Sequence, residues 1–279
     1  MMNEAIIREF WNAHPCGDHQ VGGLQGDYEE FFNKYDAFRY TSEPHILRCL
    51  DEVNFHGKKT LEIGLGEGAD SEQIIRRGAS WSGVDLTPES VERLKMRMKL
   101  RRLPFDEIKC GSVLELPFED NSFDKIFSHG VLHHVPDIQR AQEEIARVLK
   151  PGGELIIMMY AKHSLNYWVS INIARRLGLI MLYLTGLRLG SLYDEHHKNA
   201  RETGLLKYLK MENFIHRNTD GPHNPYSKVY TAKEIAADFP LFKINRVHKE
   251  HMHAPPLPTR DLPGANLLGW HLWAHLTPR

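Results

Sequence analysis

The stretch Thr60–Asp85, TLEIGLGEGADSEQIIRRGASWSGVD, constrains this chain more than any other. Thr60-Leu61-Glu62-Ile63 is a short apolar run broken by one acid and bounded by glycine, which suits a strand buried in a parallel sheet. Gly64, Gly66 and Gly68 follow at alternate positions, where a backbone without Cβ can turn sharply and approach a ligand. Ser71–Arg77 carries Ile74 and Ile75 on one helical face, and Ser82-Gly83-Val84 leads to Asp85 about twenty residues beyond the glycines. A carboxylate there can accept hydrogen bonds from both hydroxyls of a ribose. The order strand, glycine turn, helix, strand, acid predicts the opening of an α/β sheet.

The glycine turn has two readings. Gly64-Leu65-Gly66-Glu67-Gly68-Ala69 satisfies the dinucleotide pattern, in which a pyrophosphate sits on a helix N-terminus. Glu62 argues against that, because a carboxylate two residues before the first glycine repels a pyrophosphate but suits an amino group and a sulfonium. Glu62 to Gly68 resembles the E/D-x-G-x-G-x-G signature of class I S-adenosylmethionine-dependent methyltransferases. Further blocks extend the resemblance over roughly 60–160. Gly111–Phe118 is similar to G-D-A-x-x-L-P-F, Ser122–Ile126 to S-F-D-x-V, His129–Asp137 to x-x-V-L-H-H-x-P-D, and Val148–Gly153 to V-L-K-P-G-G. By pattern the chain looks like the methyltransferase type 11 and quinone-methyltransferase group acting on small molecules. It departs from the pattern at Ser112, where the family usually has Asp beside the adenine.

The resemblance implies a Rossmann-like, seven-stranded, mostly parallel sheet with helices on both faces and an antiparallel C-terminal hairpin. It implies S-adenosylmethionine as cofactor and S-adenosylhomocysteine as product. Glu62 would lie near the amino-acid end, Gly64, Leu65, Gly66 and Gly68 beneath the cofactor, Asp85 on the ribose, and Leu86, Ser112 and Val113 beside the adenine. His129 would contact the cofactor. His134, and after it His133, are the candidate general bases for a hydroxyl or amine acceptor, since an unperturbed imidazole titrates in the right range. Two other classes stay open at this stage, an NAD(P)-dependent oxidoreductase on the same glycine turn and a non-catalytic S-adenosylmethionine-binding module.

Around that core the chain divides into an N-terminal helical and aromatic cap (1–45), a cofactor-binding core (46–160), a helical insertion or substrate lid (161–225), and a C-terminal part of the core with a helix and two strands (226–279). The cap holds a predicted helix over 5–12 and an aromatic stripe from Tyr28 to Tyr40. Trp11, Tyr28 and Tyr35 are its candidates for facing the sulfonium by cation–π attraction. A helix is expected over 43–53, with Ile46, Leu47, Leu50 and Val53 at helical spacing. Thr87-Pro88 reads as an N-cap and first turn, and the basic helix 90–102 as a solvated outer face. The insertion reads as two amphipathic helices joined near Gly178, then a helix over 200–212; its apolar surface suits a greasy acceptor or a homodimer contact. Arg175-Arg176 in its middle argues against a membrane span. In the loop 218–227, Asp220, His223 and Tyr226 are acceptor-side candidates, His223 with a tentative catalytic role. Strands are expected over 242–247 and 267–276.

With 35 basic against 36 acidic side chains, the net charge of −1 offers no global field for nucleic acid. Three scattered cysteines and an acid-bearing N-terminus fit a reducing cytoplasm better than secretion. His251 and His253 would share a strand face and could bind a metal, but no cysteine or acid joins them at a familiar spacing, so no metal is assigned.

Overall fold

The computed structural model describes residues 4–24 and 26–279. Five strands, β1 (Lys59–Ile63), β2 (Ser80–Asp85), β3 (Glu107–Cys110), β4 (Phe123–His129) and β5 (Leu149–Ala161), pair in parallel. Three more complete the sheet: β6 (Val229–Tyr230), β7 (Phe242–Glu250) and β8 (His271–Pro278). The order is β3-β2-β1-β4-β5-β8-β7, with β8 antiparallel to both neighbours. This is the Rossmann-like, mostly parallel sheet with an antiparallel end that the sequence predicts. An eighth strand is added because β6 pairs for two residues with Tyr160 and Ala161 of β5. The order reverses between β1 and β4, so the loops leaving their carboxyl ends diverge and open a crevice there.

Burial explains the strands. Leu155 to Met159 of β5 are at most 2% exposed, as a strand covered on both faces requires. On one face the core gathers Leu61, Ile126, Ile145 and Leu155; on the other, Ile74, Trp81, Leu94 and Phe127. Helices α1 (Glu4–Ala13), α2 (Tyr28–Ser42) and α3 (His45–Asp51) precede the sheet. Asp27 caps α2, its carboxylate accepting from the Glu29 and Glu30 amides at 2.9 and 3.0 Å. The helix expected from Glu43 begins instead at His45, because Glu43 is the C-cap of α2 and Pro44 interrupts the run.

Helices α4 (Ala69–Arg76), α5 (Pro88–Arg101) and α6 (Ile138–Val148) cover the sheet. Asp137 caps α6, accepting from the Arg140 amide. Thr87 does not cap α5 with its side chain as expected; its hydroxyl donates to Asp85 instead. In the insertion, the π-helical segment Asn166–Arg175 runs unbroken into α7 (Arg176–Thr185), with Gly178 inside it. The break falls at Gly186, whose φ of 69° closes the helix. The single helix expected over 200–212 is divided among α8 (Ser191–Thr203), α9 (Leu205–Tyr208) and α10 (Met211–Arg217), since Gly204 at φ 89° interrupts it. These helices share a separate core of Tyr167, Ile171, Tyr208, Phe214 and Trp270. Their outer faces leave Leu177, Leu184 and Leu206 exposed. After α11 (Ala232–Asp238), closed by the expected Thr231–Glu234 capping box, comes the one-turn α12 (Ala265–Leu268). That turn delays the last strand to His271.

The basic helix α5 is not simply a solvated face. Arg93 and Arg97 point inward, and Arg97 is wholly buried. Its Nε donates to the Glu67 carbonyl at 2.8 Å, and its two terminal nitrogens reach Asp36 at 2.8 and 2.9 Å and Glu72 at 3.0 Å. The guanidinium also lies 4.4 Å from the centre of the Phe32 ring. One cation thereby joins α2, the glycine turn, α4 and α5. Replacing it takes a donor from Asp36 and the Glu67 carbonyl and leaves Glu72 with Arg76, so Arg97→Met should lower the unfolding free energy by about 3–5 kcal/mol. Denaturant melts of the two proteins measure that loss.

Candidate functional site

A cavity of about 280 Å³ lies over the carboxyl ends of β1, β2, β4 and β5. Its floor is the glycine turn, and the three glycines serve for different reasons. A Cβ on Gly64 would stand 2.1 Å from Val131 Cγ2, and one on Gly68 2.3 Å from Leu94 Cδ1. Both are therefore fixed by packing as well as by positive φ. Gly66, at φ 49°, has no atom within 4 Å of the Cβ it lacks, so its backbone is open for a ligand to approach.

Acids line the end of the cavity around this turn. Asp85 Oδ2 accepts from the Leu65 amide at 2.7 Å, and Oδ1 from the Thr87 amide and hydroxyl, each at 2.8 Å. Burial pushes its carboxyl up despite those donors; Oδ1 is already satisfied twice, and Oδ2 is the oxygen with acceptor capacity left for a hydroxyl. Glu62, 3% exposed, accepts from Trp81 Nε1 at 2.9 Å. Burial, and then the nearby Asp70 charge, push it up to about 8. Asp70 itself is held low: against its burial stand Arg39, donating at 3.0 and 2.5 Å, and His129 Nδ1 at 3.3 Å. The His129 Nε2 is buried without a partner. Arg39 from α2 thus bridges the cap to the cofactor side of the sheet.

The opposite wall holds a second cluster. Tyr160 donates to Asp220 Oδ1 at 2.7 Å, and Asp220 Oδ2 lies 3.4 Å from His134 Nε2. His134 Nδ1 is 2.7 Å from the Tyr226 carbonyl, which can only accept, so that nitrogen carries the proton. Nε2 is the nitrogen that faces Asp220 on the cavity wall. Trp11 approaches His134 edge-on at 5.0 Å. Cys16, an exposed free cysteine, also lines this wall.

The cavity gathers Glu62, Gly64, Leu65, Gly66, Gly68, Asp85, Leu86, Val113, His129, His134 and Asp220 from the sequence analysis. Five expected residues do not line it; of these, Tyr226 touches the site only through its carbonyl, 2.7 Å from His134 Nδ1. Ser112 turns toward α1, hydrogen-bonding the Glu4 carboxylate and accepting from the Leu114 amide. Tyr28 opens α2 and packs on Phe32 at 5.9 Å; Tyr35, two turns later, takes the cavity place. His133 is fully buried beneath Tyr160, ring centres 3.9 Å apart, and both its nitrogens lack partners. Burial holds it neutral, well below the ordinary imidazole range, and it has no access to an acceptor. His223 stands at the surface, 3.3 Å from Glu195. Arg39, Glu43, Asp70, Tyr160 and His271 were missed, because their places depend on strand and helix pairings between distant segments.

The family described as a methyltransferase domain matches residues 61–157. Residues 61–157 are thus similar to a methyltransferase domain. Among relatives, the phthiotriol/phenolphthiotriol dimycocerosates methyltransferase of Mycobacterium leprae is 36% identical over 167 residues, covering 55% of this chain and 61% of the relative. The demethylmenaquinone methyltransferase of Tropheryma whipplei is 34% identical over 105 residues, covering 38% of this chain and 43% of the relative. The alignments thus span about three fifths or less of the length of these relatives. In fold, the chain is similar to a SAM dependent methyltransferase from Aquifex aeolicus, with a TM-score of 0.53 and 14% identity over 91% of this chain and all of that one. The PH0226 protein from Pyrococcus horikoshii gives a TM-score of 0.54 at 15% identity, covering 97% and 99%.

Two measurements test the geometry. Asp85→Ala removes the acceptor that shapes the turn and should weaken S-adenosylhomocysteine binding by roughly 10–100-fold with the fold retained, as loss of a charged hydrogen bond predicts; calorimetric titration reads it, and unchanged affinity overturns the role. A second concerns Glu62, protonated at neutral pH in the ligand-free protein. An ammonium or sulfonium beside it favours the carboxylate, so binding must first expel that proton, at a cost that vanishes above its pKa. Affinity for S-adenosylhomocysteine should therefore rise by roughly eightfold from pH 7 to 8.5, and Glu62→Gln should flatten the profile.

Proposed function

We propose that this chain transfers a methyl group from S-adenosylmethionine to an apolar small-molecule acceptor of hydroxy-aromatic or quinone-like kind. The observation that carries the reading is the division of one cavity between an acid-lined glycine turn and a wall where His134 Nε2 lies beside Asp220. The acceptor oxygen forms the bond to the methyl carbon while the carbon–sulfur bond breaks. Its electron pair stays on sulfur, giving S-adenosylhomocysteine, and the hydroxyl proton passes to His134 Nε2. The resulting imidazolium is stabilised by Asp220, which Tyr160 holds in place. The cationic sulfonium supplies the driving force; the protein's part is in-line positioning and exclusion of water.

In this reading the 1–45 segment caps the cofactor through Arg39 and Tyr35, and the 161–225 insertion forms the acceptor side. Support for an apolar acceptor comes from the names of the two relatives, a phthiotriol/phenolphthiotriol dimycocerosates methyltransferase and a demethylmenaquinone methyltransferase. Purified protein should release S-adenosylhomocysteine when given S-adenosylmethionine and a hydroxy-aromatic or quinone precursor. His134→Ala should lower kcat by about 10²–10⁴-fold, the usual worth of a positioned base, while leaving cofactor affinity in place. His223→Ala should leave kcat unchanged. Equal activity of the His134 variant and the parent would remove the base from the mechanism.

A further inference from the structure

Beyond the two walls described, the cavity reaches a group of histidines that methyl transfer does not use. Glu43 at the end of α2, His251 just after β7 and His271 at the start of β8 converge from distant parts of the chain. The Nε2 atoms of His251 and His271 each lie 3.9 Å from Glu43 Oε1, and the three ligand atoms all fall within 4.8 Å of one another. Nitrogen and oxygen ligands about 2.1 Å from a tetrahedral zinc stand about 3.4 Å apart, so a modest inward movement of these side chains closes the set.

Each member is already oriented. His271 Nδ1 is 3.0 Å from His45 Nε2, which leaves the His271 Nε2 facing Glu43; an outer partner of this kind fixes the tautomer of a metal-bound histidine. Glu43 Oε2 faces Arg39 at 3.4 Å, and its other oxygen faces the histidines. His251 holds φ at 66°, a left-handed conformation that a non-glycine residue adopts at a cost, and that recurs at functional sites. His253 stacks on its ring at 5.0 Å, and His129 meets His271 at 5.6 Å.

We propose that Glu43, His251 and His271 bind one divalent first-row transition-metal ion in the cavity wall, with His45 as the positioning partner of His271. Two histidines and one carboxylate suit zinc or ferrous iron and leave coordination positions open. Glu43 and His271 line the cavity, so those positions face the space where an acceptor oxygen would sit. The site stands independently of which acceptor is methylated. The pairing of His251 with His253 on one strand face, considered from the sequence, is not the ligand set; the second histidine and the acid come from elsewhere in the fold.

The test uses the whole chain, stripped with chelator and titrated with Co²⁺ followed by visible absorption, then with Zn²⁺ in competition. One equivalent of Co²⁺ should bind, with ligand-field bands and no sulfur-to-cobalt charge transfer. Glu43→Gln and His251→Ala should each weaken binding by about 100-fold or more, and His45→Ala by roughly 10–100-fold. His248→Ala should not, although His248 Nε2 lies 3.6 Å from Cys49 Sγ in another cluster. Absence of a stoichiometric complex, retention of it in both ligand variants, or a sulfur-to-cobalt band removed by Cys49→Ala overturns the assignment. S-adenosylhomocysteine titration of the same preparations reports the folded state and the methyl-donor site separately, so failure of one reading is distinguishable from failure of the other.

Discussion

The architecture depends on a single buried cation. Arg97 satisfies an aspartate of the cap, a glutamate of α4 and the carbonyl of Glu67 within the glycine turn. A guanidinium is suited to this because its five donors lie in one rigid plane and stay charged under all ordinary conditions. The consequence is mechanical: the turn beneath the cofactor cannot shift without moving the segment that roofs it. Asp85 holds the same turn from the other side through the Leu65 amide. Between these two anchors the backbone at Gly66 is left clear.

Much of the core was legible in the sequence because its signals are local. Strand β1, the glycine turn and Asp85 occupy one short stretch, and period and punctuation place each of them. The Thr231 capping box and the Asp137 cap were readable for the same reason, since a cap is decided within four residues. The misreadings share an opposite cause. Arg93 and Arg97 look like surface charges in a helix whose composition is basic, and only the approach of α2 turns them inward. His133 and His134 are adjacent in sequence, yet one is sealed under Tyr160 and the other faces the cavity. That difference is set by the packing of β5 and the 218–227 loop, which no pattern in the histidine pair encodes.

Tyr28 and Tyr35 illustrate the limit within a single element. Both belong to an aromatic stripe on α2, and the stripe alone does not say which turn meets the cavity. The rest of the helix decides it: Arg39 reaches Asp70, which fixes where along its axis α2 crosses the cavity and brings Tyr35 rather than Tyr28, two turns earlier on the same face, to the opening. Charge pairing between distant segments thus selects among residues that hydrophobic spacing treats as equivalent.

Strand order has a consequence for how the molecule is assembled. β8 follows β7 in the chain but lies inside it, wedged between β7 and the apolar β5. Until β8 arrives, β5 presents an unpaired edge running through Ile156, Ile157 and Met158, the kind of surface on which another chain can add a strand. β8 is held by ladders on both sides, to β5 and to β7. A molecule opened at β8 alone would expose that seam, so the two ladders that hold β8 also keep the most apolar strand from pairing with other chains.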